Sequence, residues 1–217
     1  MDLSSRENAE NNIRKICGHF FSKELRLHFL LYLNTRRAEG QFEIKSVGWF
    51  KSMGKIMSFI VQLAGDEKDF ETLKFVLILA QTYYILNSEN ERIYLIRYFE
   101  DHPLFQEQSF WEYYYRTLID NELAKIPIDD PEQGMRMKNN LVFSKIMAST
   151  HNMMEFIYDK NKICDIVKVF CKKFELDEEN SKVVESILKE LKYDNKPKMD
   201  DNLVLKKILK PEDLNKK

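Results

Sequence analysis

Thr150-His151-Asn152-Met153-Met154-Glu155-Phe156 sits inside the longer run from Leu141 to Phe170, and that run decides the fold. On a helical wheel Phe143, Ile146, Met147, Thr150, Met154 and Ile157 fall in one stripe. Residues three and four apart share a face of an α-helix, so the helix runs straight through the motif. Met153 widens the stripe, and Phe156 lies farther round the same side. His151 falls on the opposite flank, and Asn152 points nearly away from the stripe. Neither has a catalytic companion nearby in sequence. One reading leaves Asn152 solvated and His151 bonded to a neighbouring helix end. The other makes Lys145, Ser149 and Asn152 a contact surface, with His151 at its edge.

The same period extends outward. Residues 22–36 place Leu25, Phe29 and Tyr32/Leu33 on one side behind Ser22, a good N-cap. Gly40 belongs in the following turn. Residues 45–64 repeat the pattern with Phe50, Met53, Met57, Ile60 and Val61. Gly65 is expected just past the helix end, with Asp66 capping the next helix and Asp69 in its first turn. That helix, about 67–87, is the most apolar, with Phe70, Leu73, Leu77, Ala80 and Tyr84 on one face, and is expected at the centre of a bundle. A shorter helix is expected over 89–101, ending before Pro103, where a cap role suits His102. Another covers 105–125. Its cluster Phe110 to Tyr115 is able to stack on bases, but Trp111, Tyr115 and Leu118 share a face and Tyr114 adjoins it, so a core role is favoured. Pro127-Ile128-Asp129-Asp130-Pro131 marks a linker near 126–134. Helices then run to about Tyr158, from 161 to 174, and from Asp177, a good cap, to 192. The expected fold is all-α: a single bundle of about eight to ten helices over residues 1–193, with an extended charged tail over 194–217.

Composition narrows the class. Gly and Pro total only eleven of 217 residues, which argues against a β-sandwich or a Gly-rich nucleotide fold, and 44% hydrophobic residues supply a core. The longest apolar run, Phe75 to Ala80, is far too short to span a bilayer. The start, Met1-Asp2-Leu3-Ser4-Ser5-Arg6-Glu7, has no apolar signal core and no glycine for myristoylation. Cys17, Cys164 and Cys171 read as reduced thiols in a cytoplasmic protein. His19 lies two residues from Cys17, but no second ligand pair completes a metal site. His28, amid Leu27, Phe29 and Leu30, reads as a packed histidine. No phosphate-cradling, nucleophile-elbow or C-x-x-C frame occurs, so the expectation is a binding protein, not an enzyme, without metal or cofactor.

The net charge of −1 hides segregated blocks. Residues 14–55 carry net +6, 66–132 net −9 and 135–174 net +5. Such blocks suit phosphates in one place and basic protein in another, unless folding interleaves them into a mixed surface.

Several segments together resemble a known domain. Asn139-Asn140-Leu141-Val142-Phe143, Thr150-His151-Asn152-Met153, Lys162-Ile163-Cys164 and Leu176-Asp177-Glu178-Glu179 look like the end of the helical domain of the SET-binding factors, the myotubularin-related pseudophosphatases. His102-Pro103-Leu104 with Phe110-Trp111, and Tyr32-Leu33-Asn34-Thr35-Arg36-Arg37, resemble earlier parts of it. The likeness covers roughly residues 20–190, and T-H-N-M is its most specific element. No pseudophosphatase or exchange-factor module is expected beside it, so what transfers is a non-catalytic helical scaffold. As a compact Lys/Asn/Ile-rich version, the chain is also similar to the ribosome-bound dormancy factors of microsporidia. That likeness implies a translation inhibitor on idle ribosomes, with ribosomal RNA and ribosomal proteins as partners. Arg36, Arg37, Lys45, Lys51 and Lys55 would then contact RNA phosphates, with the tail lysines Lys196, Lys198, Lys206, Lys207 and Lys210. Lys145, His151 and Asn152 would form a contact edge. The rival expectation is an adaptor in membrane trafficking or small-GTPase signalling.

Overall fold

The computed structural model describes residues 11–13, 15–125, 131–157 and 159–190. The fold class is all-α, with one small β-hairpin. Helical residues 11–13 and 15–19 form α1. Then follow α2 (Lys23–Ala38), α3 (Val47–Asp66), α4 (Phe70–Ala80), β1 (Tyr84–Leu86), β2 (Arg92–Tyr94) and 3-10 turns at Leu95–Tyr98 and Pro103–Gln106. Next come α5 (Gln108–Leu123), α6 (Pro131–Phe156), α7 (Lys160–Lys173) and α8 (Glu178–Glu190). The packing divides the described chain into two compact units between His102 and Pro103. Residues 126–130 of the expected linker and the expected tail over 194–217 lie outside the described residues, and α6 is already helical from Pro131.

Helix starts follow side chains that accept the free first-turn amides. Ser22 accepts the Leu25 N–H at 3.4 Å, Ser46 the Trp49 N–H at 3.3 Å and Asp177 the Asn180 N–H at 2.7 Å. Helix α4 starts later than the sequence indicates, because Asp69 rather than Asp66 is its cap. The reason lies in how α3 ends. The Asp69 N–H bonds the Ala64 carbonyl and the Lys68 N–H bonds the Gly65 carbonyl, a Schellman end with Lys68 left-handed at φ 54°. Gly65 therefore sits inside the last turn instead of past it. The same paired bonds close α2 with Gly40 at φ 79° and α7 with Glu175 at φ 53°.

In the first unit α4 packs against both α2 and α3 and is buried nearly all round, at Thr72, Leu73, Val76, Leu77, Leu79 and Ala80. Arg26 of α2 is fully buried. It donates to the Phe20 carbonyl at 3.0 Å, pairs with Glu67, and reaches Asp69 at 3.4 Å. Asp69 also takes the Thr72 hydroxyl at 2.7 Å and Lys23 at 3.1 Å. Burial by itself would lower the Arg26 pKa, but these carboxylates hold it above its ordinary value, so the group stays charged.

Helix α4 stops at Ala80, and the two helices expected over 67–87 and 89–101 are instead a helix, a hairpin and a 3-10 turn. Tyr84 pairs with Tyr94 and Leu86 with Arg92. The Asn87 side chain organises the turn by accepting the Glu89 and Glu91 amides at 2.9 and 2.8 Å, and Asn90 takes the left-handed position at φ 63°. This local alternative outcompetes the helix that hydrophobic spacing favours. Residues 42–44 run alongside: the Ile44 amide donates to the Tyr84 carbonyl and the Tyr84 amide to the Phe42 carbonyl. Ile44, Ile85 and Ile93 are buried.

In the second unit α5 packs on α6 and α7, and α6 on α7 and α8. The aromatic cluster is core, as its spacing indicates: Phe110, Trp111 and Tyr115 are fully buried and Tyr114 nearly so. Trp111 donates to the Phe105 carbonyl at 2.8 Å, and Tyr115 stacks on Phe170 at 4.1 Å.

Candidate functional site

The T-H-N-M helix differs from its wheel in one respect. The buried face of α6 runs through Val142, Ile146, Ser149, Thr150, Met153 and Phe156. Ser149 is therefore interior, and Asn152 is half-buried beside the Tyr114 hydroxyl, whose pKa burial raises and the Asn152 side chain moderates. The expected outer surface of Lys145, Ser149 and Asn152 is in large part the seam with α5. The cause is chemical: α5 brings two tyrosine hydroxyls into the interior, and buried hydroxyls need polar neighbours. Thr150 satisfies its own hydroxyl on the Ile146 carbonyl at 2.8 Å. The Tyr115 hydroxyl faces Ser149 and Thr150 without completing a full hydrogen bond, and burial pushes its pKa far up. His151 is exposed, and Lys145 is half-buried like Asn152.

The remaining histidines and cysteines build no reactive centre among the described residues. His28 is exposed rather than packed, as is His19. His102 stands between two 3-10 turns rather than at a helix end and meets the Gln62 side chain at 3.2 Å; burial lowers its pKa. All three cysteines are free, and burial pushes the Cys17 and Cys171 thiols up, away from the nucleophilic thiolate. No group of three or more His, Cys, Asp or Glu among the described residues can hold a metal ion. A shallow cleft of about 430 Å³ between α7 and α8 mixes Lys160, Lys168 and Lys189 with Asp165 and Glu185. It has no convergent acid–base pair. No helix among the described residues is long and apolar enough to cross a membrane.

The basic residues of the first unit have a more informative setting. Arg36 is exposed and pairs with Glu39 at 3.2 Å, while Arg37 is half-buried against Asn34 at 3.0 Å. Lys45 is exposed just before the α3 cap. Lys51 and Lys55 lie one turn apart on α3, half-buried and exposed respectively. The tail lysines Lys196, Lys198, Lys206, Lys207 and Lys210 lie outside the described residues.

Exposed aromatic side chains occur in the same stretch of chain, and sequence reasoning does not single them out. Tyr32 is 62% exposed, Trp49 53% and Phe42 37%. Spacing assigns Tyr32 to the apolar face of α2, but the buried face is Arg26, Leu30 and Leu33. Trp49 carries a legible signal. Phe50 shares the stripe with Met53 and Met57, so its neighbour, about a hundred degrees round the helix, has to point elsewhere. The end of α2 and the short sheet share one neighbourhood. The Tyr83 hydroxyl donates to the Leu33 carbonyl at 2.6 Å, and burial raises its pKa while nearby Arg36 and Arg37 moderate the rise. From residue 32 to 55 the chain carries five cationic side chains and only two carboxylates, Glu39 and Glu43. Exposed rings in a stretch with an excess of cations offer two components of a nucleic-acid surface, π faces for bases and charges for phosphates.

No family model, no curated protein and no solved structure matches the chain.

Proposed function

We propose that this is a non-catalytic helical binding protein that docks on a large ribonucleoprotein, with an idle ribosome as its target and steric block of a functional site as its action. The resemblance to helical scaffolds and dormancy factors motivates the target. The observation that carries the nucleic-acid part is the exposure of Trp49 and Tyr32 in the stretch of chain that also holds Arg36, Arg37, Lys45, Lys51 and Lys55. Of the expected contact edge, Asn152 lies at the α5–α6 seam, while the exposed His151 and the half-buried Lys145 keep their place as candidate contacts.

The test is sedimentation of a lysate through sucrose at rising salt. The protein should travel with ribosomes at low salt and leave them steeply as salt rises. With five phosphate contacts, affinity should fall about 500-fold between about 50 and 200 mM salt, at roughly 0.9 counterions per contact. A Trp49→Ala, Tyr32→Ala variant should fold and dissociate at lower salt. Absence from the ribosomal fraction at low salt would sink the reading. Nuclease-resistant capture of a small GTPase would favour the adaptor alternative instead.

A further inference from the structure

The outer face of the short sheet holds Tyr84 and Tyr94 as a directly opposed pair, ring centroids 5.8 Å apart at 64°, with the Arg92 guanidinium 4.7 Å over the Tyr84 ring. Ile85 and Ile93 point the other way, into the core, so the pleat fixes the tyrosines on the outside. Both tyrosines are half-buried and Arg92 is exposed. The neighbouring Tyr94 and Tyr84 hydroxyls hold the Arg92 guanidinium above its ordinary pKa.

Arg92 is therefore positioned by rings. Glu91 precedes it in the chain but engages Asn87 at 2.9 Å, and among the described residues it is tyrosines, not carboxylates, that act on the Arg92 charge. The result is a planar cation held over the Tyr84 ring. A planar guanidinium on a tyrosine extends the π surface by one layer, and its edge donors match a phosphate oxygen. An A-form duplex keeps its bases stacked on each other and presents no free base face here, whereas an unpaired strand does.

We propose that the Tyr84–Arg92–Tyr94 face is a stacking platform for unpaired RNA nucleotides, selecting single-stranded over duplex RNA. This rests on the nucleic-acid reading of Trp49 and Tyr32 and names the form of RNA it takes. One base lies on the exposed side of the Arg92 plane, with its 5′ or 3′ phosphate on the guanidinium edge. Glu43, the bridge partner of Tyr84 on the same face, discourages a continuous phosphate backbone there and limits the platform to a short segment.

The experiment is fluorescence anisotropy on the full chain with a labelled oligo(U) strand of about ten nucleotides and a labelled RNA duplex of about sixteen base pairs. Three variants accompany it: Arg92→Lys, Tyr94→Phe and Tyr84→Ala. Oligo(U) should bind about tenfold more tightly than the duplex, the scale of one stacked base. Arg92→Lys keeps the charge on an exposed residue and loses the plane, so it should weaken oligo(U) by about tenfold and leave the duplex unchanged. Tyr94→Phe should weaken oligo(U) by a smaller factor of about three, because the ring stays and only the hydroxyl beside Arg92 goes. Tyr84→Ala should abolish the preference, and circular dichroism checks its fold. Equal binding of strand and duplex, an Arg92→Lys variant that binds oligo(U) like the parent, or no binding of oligo(U) at all would each overturn the platform. Ribosome sedimentation is scored separately. Retained sedimentation without single-strand preference removes the platform alone. Single-strand preference lost in Arg92→Lys, with no ribosome association, removes the docking reading alone.

Discussion

The Tyr98 ring packs directly on the backbone of Gly54, so a methyl group at that glycine would overlap three of its ring carbons. Tyr98 cannot retreat easily. Its ring meets Phe50 at 5.8 Å, and its carbonyl accepts the Ser58 hydroxyl at 3.3 Å. Gly54 is thus required by contact rather than by backbone freedom. Gly54→Ala should gain about 1 kcal/mol of helix propensity and lose more to overpacking, for a net loss of about 2 kcal/mol. Gly48→Ala on the same helix meets only the Ser46 hydroxyl at 3.8 Å and should stabilise by about 0.5–1 kcal/mol. Urea unfolding midpoints of both variants check the contrast.

Lys68 and Glu175 occupy left-handed positions that favour glycine, and both are exposed. Lys68→Gly and Glu175→Gly should each raise stability by about 0.5–1 kcal/mol, the left-handed penalty less the added unfolded-state entropy. Thermal unfolding with unchanged helical circular dichroism is the readout. A loss of stability in both would mean that the side chains make contacts outweighing the strain.

Asp69 gives the first unit an acid limit. Burial pushes its pKa up, but hydrogen bonds from Thr72 and Lys23 outweigh burial and hold it below the ordinary aspartate value. A depressed folded pKa contributes stability that is present above the unfolded value of about 4 and disappears as pH falls toward the lower folded value. Stability measured from about pH 5 downward should therefore fall, and Asp69→Asn should flatten that slope while lowering stability at about pH 7. Arg26→Ala should cost about 3–5 kcal/mol at neutral pH, because it strips the charge from a buried pair.

Asn152 belongs to the α5–α6 seam, so Asn152→Ala should act on stability before binding. A loss of about 1 kcal/mol is expected, with a similar loss in Tyr114→Phe and little more in the double variant. A coupling energy near zero in that double-mutant cycle would place Asn152 back in solvent.

How much of the fold is legible in the chain follows from particular residues. Ser22 and Asp177 as caps, Gly40 as a turn, the apolar α4 and the Trp111–Tyr115 core all follow from spacing and capping chemistry, which act locally. The hairpin escapes the helical reading because Tyr84, Ile85 and Leu86 continue the apolar pattern of α4. The contrary signal, Asn87-Ser88-Glu89-Asn90 between two aromatic and β-branched runs, is a turn signature that period counting ignores. Ser149 and Asn152 are misplaced by the wheel for a different reason. Their burial depends on hydroxyls that Tyr114 and Tyr115 bring from another helix, and no local pattern encodes that match. The residues of the candidate surface fall between these cases. Trp49 follows from the stripe position of Phe50, whereas the stacking of Arg92 on Tyr84 follows only once the strands pair.

The buried guanidinium of Arg26 also bears on how the first unit assembles. Its partners are the Phe20 carbonyl, six residues back, and Glu67 and Asp69, more than forty residues ahead at the α3–α4 turn. If α2 docked on α4 before that turn had formed, an unpaired cation would be buried, at a cost of several kcal/mol. Half-assembled states are thereby disfavoured, and α2 and the turn close together or not at all. In native-state hydrogen exchange, the amides of α2 and those of Lys68 and Asp69 should report one shared opening free energy, which Arg26→Ala would split in two.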